Sequence, residues 1–308
     1  TPKEGIGVLD QATTYRYAYE STSYTADLLL RYNNTFGKHD VGAFFGYEQY
    51  RAETTGFSAE KKGLIDWSIT DITSGAEMNS IGGSAKSVNA IISYFGRVNY
   101  AYAGKYLLEA SFRSDASSKF APGHRNSFFP SGSVAWRISE EPFFESLKNA
   151  VNSLKIRASY GEIGDDNVGD RFLYMTQWAY GGKTQLGTTS SDKESIYTWY
   201  RESAVGNPNV HWEKVKKVNF GIDYGFLGGL ITGAVDFFHD TRSDILVSGS
   251  DRSIPSYFGQ TAPTANLGKV TTSGYELEVK FNKVFANKMR LWANFSMTHA
   301  VNEVKIKD

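Results

Sequence analysis

Aromatic side chains are concentrated in two predicted loops of this chain, where they could bind a ligand by stacking. The sequence predicts that the longer loop runs from Gly164 to His211 and that the second follows Pro255. Indole and phenol rings give a large contact area at a small entropic cost, so they suit sugar rings or a protein partner. Packing of the loops against themselves explains the same residues equally well. The candidate ligand-binding residues are Trp178, Tyr197, Trp199, Tyr200, Tyr257 and Phe258.

The candidate catalytic and metal-binding motifs of this chain do not have the residue spacing that such sites require. Gly182-Lys183-Thr184 imitates the end of a phosphate-binding loop, but Gln177 stands where that motif needs glycine and no helical pattern follows. Asp165, Asp166, Asn167 and Asp170 lack the alternation of a calcium-binding loop, so a solvated acidic loop is the better reading. The histidines are isolated in sequence, which disfavours a metal site or a catalytic triad; they are His39, His124, His211, His239 and His299.

One carboxylate pair remains, Glu140 and Glu141, which could be imagined as the two acids of a glycosidase. Their position in the segment Ser139–Lys148 predicts instead a short capped helix, with Ser139 ahead of the two acids and Pro142. The chain contains no cysteine, which excludes a disulfide framework and thiolate metal sites. We therefore predict no enzyme activity, no metal and no cofactor.

Composition limits the class of protein. The 33 basic and 33 acidic residues give a net charge of zero, so no electrostatic case exists for nucleic acid. Thirty glycines, seven prolines and an aromatic content of 15% favour strands and turns. No apolar run approaches the roughly 18 to 20 residues of a spanning helix. If the chain crosses a membrane, it must do so with strands.

The segment Ser93–Asp115 is the clearest structural signal. Apolar and aromatic residues alternate with polar and charged ones on either side of Ala103-Gly104-Lys105, which is typical of a β-hairpin. Similar alternation predicts ten strands in all. The other eight are centred on 24–35, 41–47, 128–138, 154–160, 218–226, 231–237, 275–281 and 291–297. Residues 54–85 are predicted to form a long loop, and residues 1–22 are weakly patterned, with Tyr15–Tyr19 as the end of a strand.

Two regularities indicate an outer-membrane barrel. The predicted connections alternate between short and long, so that an up-and-down meander would collect its short turns on one side and its long loops on the other. About 44 positions on the apolar faces carry no charge, where roughly nine charges would be expected at random. Aromatic residues near the short turns match an interfacial girdle; they are Tyr100, Tyr102, Tyr106, Trp136 and Phe281. A soluble β-sandwich or propeller fits less well, because its strands usually have about five or six residues.

Several blocks of sequence make a family resemblance specific. In their order and spacing they resemble the SusC/RagA-type TonB-dependent transporters, most closely over residues 86–308. The blocks are Tyr94–Tyr100, Lys105–Ser111, Arg113–Phe120, Phe128–Ser131, Trp136–Phe143, Leu154–Gly161, Asn207–Lys214 and Asp236–Phe238.

The resemblance implies a multi-pass β-barrel of the cell outer membrane with about 22 strands and a plugged lumen. Such proteins import oligosaccharides, peptides or similar nutrients under a SusD-like surface lipoprotein, and the TonB-ExbB-ExbD complex drives them. No plug or TonB box is recognisable here, and ten open strands would leave unpaired edges in lipid. We therefore expect residues 1–308 to be a partial barrel, an internal slice that transports nothing alone. The alternatives are a passive porin or surface adhesin barrel, and a soluble carbohydrate-binding β domain.

Overall fold

The computed structural model of this chain is built almost wholly from antiparallel strands. It describes residues 12–64, 68, 71–169, 172–184, 197–255, 257 and 259–307, without the side chains of 85, 183, 184 and 197. The strands are β1 (Thr13–Phe36), β2 (His39–Leu64), β3 (Gly75–Tyr102), β4 (Tyr106–Ser117), β5 (Asn126–Arg137), β6 (Val151–Asp165), β7 (Gln177–Thr184), β8 (Tyr197–Ala204), β9 (Glu213–Phe226), β10 (Ile231–Val247), β11 (Ala265–Val284) and β12 (Arg290–Ile306).

Ten of these strands form one sheet in the order β1-β2-β3-β4-β5-β6-β9-β10-β11-β12, while β7 and β8 form a separate pair. Each strand of the large sheet therefore neighbours the next one in the chain, with β7 and β8 inserted between β6 and β9. This confirms the predicted ten-stranded meander. No helix in the described part of the chain is long and apolar enough to cross a membrane.

The chain divides into two compact units, one of residues 1–26 and 48–91 and one of residues 27–47 and 92–308. In the first unit, β2 continues to Leu64 and β3 begins at Gly75, so the predicted loop at 54–85 is wrong. Polar cross-strand pairs hold these strands, including Lys86 with Glu53 at 2.7 Å. Because polar side chains predominate and the few large apolar ones, such as Met78 and Ile81, do not share a face, the sequence lacks the alternation by which strands are recognised.

In the second unit, pairing aligns apolar residues across successive strands. One row of directly opposed residues runs Leu108, Val134, Ala158, Phe220, Phe237 and Tyr275, from β4 to β11. We call this side of the sheet the apolar face and its reverse, which carries Arg97 and Glu278, the polar face. Leu108 is 51% exposed and Val134 is 52% exposed. The apolar face is thus not the core of a soluble protein, whose large apolar side chains would be buried.

The short turns lie next to one another and are joined by backbone hydrogen bonds. Ala103 N donates to Lys38 O at 2.6 Å, Arg137 N to Lys105 O at 2.8 Å, and Asn282 N to Leu230 O at 2.9 Å. Positive φ angles at Ala103 (52°) and Gly104 (66°) confirm the tight turn between β3 and β4. One connection departs from the predicted pattern, because the β5–β6 link on the short-turn side is longer than the β4–β5 loop on the other.

The long β5–β6 link does not form the predicted capped helix. It contains two short 3-10 helices, Ile138–Glu140 and Pro142–Leu147, and neither has a side-chain cap. Ser139 lies inside the first of them and is buried, so its hydroxyl does not cap the segment. Glu141 instead bonds Lys105 of the β3–β4 turn.

Candidate ligand-binding hairpin and polar face

The β7–β8 hairpin positions the aromatic residues of the longest loop. Trp178 pairs with Glu202, and Tyr180 pairs with Tyr200. Because directly opposed residues project to the same side and alternate residues share a side, these four side chains lie on one face. We call it the aromatic face. Trp178, Tyr180 and Tyr200 are 65%, 57% and 63% exposed, so their rings are available to a ligand.

Trp199 is on the reverse of the hairpin. A Cβ atom added at Gly181 would lie 2.5 Å from its indole ring, so the indole covers this glycine. Trp199 therefore supports the hairpin, where glycine leaves room for the ring. The structure thus separates Trp199 from Trp178 and Tyr200, which the sequence had grouped as one set.

The remaining predicted ligand residues are less well placed. Tyr197 opposes Thr184 in the hairpin, but its side chain is not described. Tyr257 is 89% exposed in the β10–β11 loop, and Phe258 lies outside the described residues. From the same loop, Gln260 Nε2 donates to Glu202 Oε2 at 3.4 Å, so this loop reaches the aromatic face.

Tyr180 and Glu202 were missing from the predicted set. The sequence contained a signal for both residues. Trp178 and Tyr180 are two residues apart, and so are Tyr200 and Glu202, as expected for side chains on one face of a strand.

A small buried core fixes the base of the loops. Phe120, Phe129, Val210 and Trp212 are each at most 6% exposed and pack together with Val168. The Trp212 ring lies 5.4 Å from the ring of Phe120, and its indole Nε1 donates to Arg125 O at 2.8 Å. We call this group the loop core. It joins the β4–β5 loop to both ends of the insertion between β6 and β9, so the hairpin rises from an ordered base.

Two of the acidic residues considered for calcium, Asp165 and Asp166, are engaged by other groups, and Asp170 lies outside the described residues. Asp166 accepts hydrogen bonds from Ser117 Oγ at 2.8 Å and from Lys119 Nζ at 3.2 Å. Asp165 lies 3.6 Å from Arg242. Within the part of the chain that the structure describes, no group of three potential ligands could hold a metal ion.

Two histidines are not as isolated as their sequence positions suggest. The rings of His124 and His211 lie 6.1 Å apart, and His211 Nε2 is 3.8 Å from Asp244 Oδ1. The phosphate-loop imitation, Gly182-Lys183-Thr184, lies at the end of strand β7, and residues 185–196 lie outside the described part of the chain.

The polar face carries a network of ion pairs across β6, β9 and β10. Arg157 donates to Asp223 at 3.2 Å, to Asn219 at 3.2 Å and to Asp236 at 2.6 Å. Gly221 lies directly between Arg157 and Asp236 in the pairing register, and a Cβ atom there would be 2.5 Å from the guanidinium carbon. Glycine at this position therefore lets one arginine bridge three strands.

Further charged pairs extend the polar face towards β3. Arg97 lies 3.5 Å from Glu109, and Arg113 donates to Ser93 at 2.8 Å. A concavity of about 530 Å³ in this region is lined by Asn99, Glu109 and Arg157 together with apolar residues such as Val41 and Leu107. Charged groups are tolerated on such a surface only where water reaches them, which indicates a wet interior.

The short-turn side is stabilised by one buried carboxylate. Glu141 accepts from Lys105 Nζ at 3.1 Å and from Trp136 Nε1 at 3.2 Å, and it also bonds the Tyr106 hydroxyl. The hydrogen bond from Tyr106, together with those from Lys105 and Trp136, holds the pKa of Glu141 below the ordinary range of a glutamate. Glu141 is thus a structural clamp that joins the β3–β4 turn to the β5–β6 link.

Next to this clamp, aromatic rings form a row along the short turns. Ring centroids are 6.4 Å apart for Tyr102 and Tyr106, and 6.3 Å apart for Tyr106 and Trp136. Phe143 continues the row at 6.5 Å from Trp136. Such a row at the end of an apolar band is typical of a membrane interface.

Comparisons with known proteins agree with this geometry. Residues 4–307 match the family described as TonB dependent receptor-like, beta-barrel. The chain is 29% identical to the TonB-dependent receptor SusC of Bacteroides thetaiotaomicron over 95% of its length, and 28% identical to TonB-dependent receptor P3 of Formosa agariphila over 99%. It spans only 28% and 29% of the lengths of these two relatives.

Solved structures show the same fold. Over 95% of this chain, the RagAB peptide transporter superposes with a TM-score of 0.82 at 23% identity, and the chain spans 31% of that protein. The match covers nearly the whole chain, so the ten-stranded sheet has a known fold.

Proposed function

This chain belongs to the TonB-dependent receptor β-barrel family, and we propose that it forms part of the wall of an active importer of nutrients such as oligosaccharides or peptides. Family members of the SusC type lie in the outer membrane, which the chain crosses with strands. The relatives are about three times longer, which supports assigning residues 1–308 to the wall and the plug to other parts of such a protein.

The observation that carries this proposal is the difference in polarity between the apolar face and the polar face of the sheet. A row of exposed apolar side chains, including Leu108 and Phe220, lies on one side of the sheet, and the Arg157 network lies on the other side. An arginine facing lipid at the midplane would cost roughly 2 to 4 kcal/mol, whereas a wet lumen accepts it. The polar face therefore lines the route of the substrate, and the apolar face contacts hydrocarbon.

Substrate capture is assigned to the aromatic face of the hairpin. Trp178, Tyr180 and Tyr200 offer three exposed rings, and Glu202 adds a hydrogen-bond acceptor beside them. Planar rings suit the apolar side of a sugar or of a peptide side chain, and the carboxylate suits hydroxyl or amide donors. Tyr257 adds a ring from the neighbouring loop, and we retain Tyr197, Trp199 and Phe258 as secondary candidates.

Two partners complete the proposed cycle. A SusD-like surface lipoprotein would cover the long-loop side, and the TonB-ExbB-ExbD complex would supply the energy that displaces the plug. The relatives that carry the SusC and RagAB names support this assignment. Peptide import is stated for RagAB itself.

The transport proposal is tested with cells that carry the intact protein and require it for growth on one nutrient. We expect uptake of labelled nutrient to stop when a protonophore collapses the inner-membrane gradient. A passive porin would continue to equilibrate the nutrient, and an adhesin would bind it without uptake. Either result would overturn the proposal. Cells that express residues 1–308 alone should show no uptake.

The capture site is tested separately by replacing its rings. The double change Trp178→Ala and Tyr200→Ala should weaken nutrient binding at least tenfold, because each stacked ring contributes about 1 kcal/mol or more. Arg201→Gln, on the reverse of the same strand, is the matched control and should bind normally. If both variants bind like the original protein, the aromatic face is not the capture site.

A further inference from the structure

The loop between β10 and β11 runs alongside the last part of the insertion between β6 and β9. Three side-chain amides join the two segments, and we call their bonds the amide lock. The bonds are Asn266 Nδ2 to His211 O at 2.8 Å, Asn207 Nδ2 to Thr264 O at 2.9 Å, and Gln260 Nε2 to Glu202 Oε2 at 3.4 Å. The bonded residues follow the same order in both segments, so residues 202–211 and 260–266 run parallel to each other.

The bond at the base of the amide lock belongs to a larger joint. Asn266 Oδ1 also accepts from His211 N at 3.0 Å, and Asn266 Nδ2 also donates to Asp244 O at 2.7 Å. Asp244 has a positive φ of 58°, and the register of β10 with β11 shifts between Arg242 and Ile245. One side-chain amide therefore holds the end of the insertion, the end of β10 and the start of β11 together.

The middle bond is made by a residue that also orders its own turn. Asn207 Oδ1 accepts from Asn209 N at 3.0 Å, and Asn207 N donates to Leu173 O at 2.7 Å. The two atoms of this amide thus have separate tasks, because Oδ1 bonds within the insertion and Nδ2 bonds Thr264 of the other segment. A change that removes only the donor would release the β10–β11 loop and keep the turn.

The β10–β11 loop is also braced internally. Arg252 Nη1 donates to Pro263 O at 3.0 Å, and glycine at position 249 leaves room for the carbonyl of Ala262. Ala262 is only 7% exposed, so the two limbs of the loop pack against each other. A bond at Thr264 therefore also fixes the position of Gln260, whose side chain is exposed beside Glu202.

We propose that residues 259–264 form a second wall of the capture site, that Gln260 contacts the ligand there, and that Asn207 is the positioning residue that holds this wall. The inference rests on the proposed capture of nutrient by the aromatic face. Glu202 opposes Trp178 and can only accept, whereas Gln260 offers Oε1 while its Nε2 points to Glu202. The site therefore selects a ligand that stacks on one side and presents hydroxyl or N–H donors along the adjacent edge.

The first test measures the amide lock in the intact protein without nutrient. This chain has no cysteine of its own, so spin labels can be attached at Arg201→Cys, on the reverse of the hairpin, and at Tyr257→Cys, on the loop. Double electron–electron resonance should give one narrow distance distribution. Asn207→Asp keeps the oxygen that bonds Asn209 and removes the donor to Thr264, so it should broaden the distribution.

Asn209→Asp is the matched control, because it makes the same change at an exposed side chain two residues away. It should leave the distribution narrow. A broad distribution in the original protein, or an unchanged one in Asn207→Asp, would overturn the amide lock.

The contact of Gln260 has its own rescue, which tests the wall even where Asn207→Asp does not fold. Gln260→Glu places two carboxylates together and should broaden the distance distribution. Adding Glu202→Gln restores a pair of one amide and one carboxylate, so the distribution should become narrow again. Failure of this rescue would exclude the contact between Gln260 and Glu202.

The second test measures binding of the labelled nutrient used in the uptake experiment. Asn207→Asp and Gln260→Ala should each weaken binding about threefold to tenfold, as expected for the loss of one hydrogen bond. The double variant should bind no more weakly than the weaker single variant, because both changes remove the same wall. Losses that multiply would show that Asn207 acts through general stability, and would overturn its positioning role.

The outcome of this test is separable from that of the capture site itself. Normal binding in Asn207→Asp and Gln260→Ala, together with lost binding in the variant without Trp178 and Tyr200, would refute the second wall alone. Normal binding in all of these variants would refute the capture site and the second wall together, while the distance measurement still decides whether the amide lock exists.

Discussion

Gly221→Ala is the sharpest test of the polar-face network. The new methyl group would lie 2.5 Å from the guanidinium carbon of Arg157 and 2.7 Å from one of its nitrogens. Carbon atoms in contact need about 3.5 Å or more, so the guanidinium must leave its place above the strand. The bond of 2.6 Å to Asp236 and those to Asp223 and Asn219 are then lost together.

The expected cost follows from the surroundings of these groups. The Asp236 side chain is only 15% exposed, and it opposes Glu276 of β11 in the register, so without arginine two carboxylates face each other. A poorly solvated group that loses its partner costs about 1 to 3 kcal/mol. Because Arg157 is 32% exposed, water recovers part of this energy. We expect a loss of about 1 to 2 kcal/mol in the free energy of unfolding, after this discount.

The assay is denaturant unfolding of the intact protein in lipid vesicles, followed by tryptophan fluorescence. Gly132→Ala is the matched control, because a Cβ atom there meets nothing closer than the carbonyl of Glu109 at 3.4 Å. A double-mutant cycle with Arg157→Ala should show strong coupling, since either change removes the same bonds. Equal stability of Gly221→Ala and Gly132→Ala would refute the reasoning.

Three further outcomes are expected. Because its bonds lower the pKa of Glu141, the clamp stabilises the fold above the ordinary glutamate pKa of about 4.3 and loses this contribution as the pH falls through the lowered value. Glu141→Gln should therefore flatten the stability profile below about pH 4.3. Glu140→Gln, at the exposed neighbour, should not, and pH-dependent melting is the readout. Gly181→Ala should displace the indole of Trp199, which a shift in tryptophan emission would show, and unchanged emission would contradict this packing. Treatment with a calcium chelator should leave protease resistance of the long loops unchanged, whereas Asp166→Ala should reduce it; the opposite pattern would favour a metal site.

The sequence predicted the hairpins that the second unit contributes to the ten-stranded sheet well, because one face of each of these strands is apolar and the other is polar. The alternation around Val134 and Phe220 is a local property, so it can be read without knowing the neighbours. This alternation is missing at 54–85, where polar residues occur on both sides of the strands and Ser80 donates to Glu60 across the sheet. Backbone pairing with neighbours, which no local pattern reports, makes these residues strands.

The sites were predicted less well than the fold. Aromatic residues in the longest loop were recognised as candidates, but the opposition of Trp178 to Glu202 depends on a hairpin that was not predicted. The passage of Arg157 above Gly221 depends on the alignment of three strands, which sequence spacing does not determine. The role of Glu141 similarly requires the approach of Lys105 from another turn.

The direct pairing of β6 with β9 has a consequence for how such proteins can diversify. Asp165 opposes Glu213 although 47 residues of chain separate them, so the wall is hydrogen-bonded continuously beneath the insertion. The hairpin with Trp178 and Tyr200 can therefore be exchanged, lengthened or deleted while every bond between these two strands is kept. Ligand preference can therefore change by replacement of this one insertion. Grafting a hairpin from a relative between the ends of β6 and β9 is a practical route to a receptor for a different nutrient.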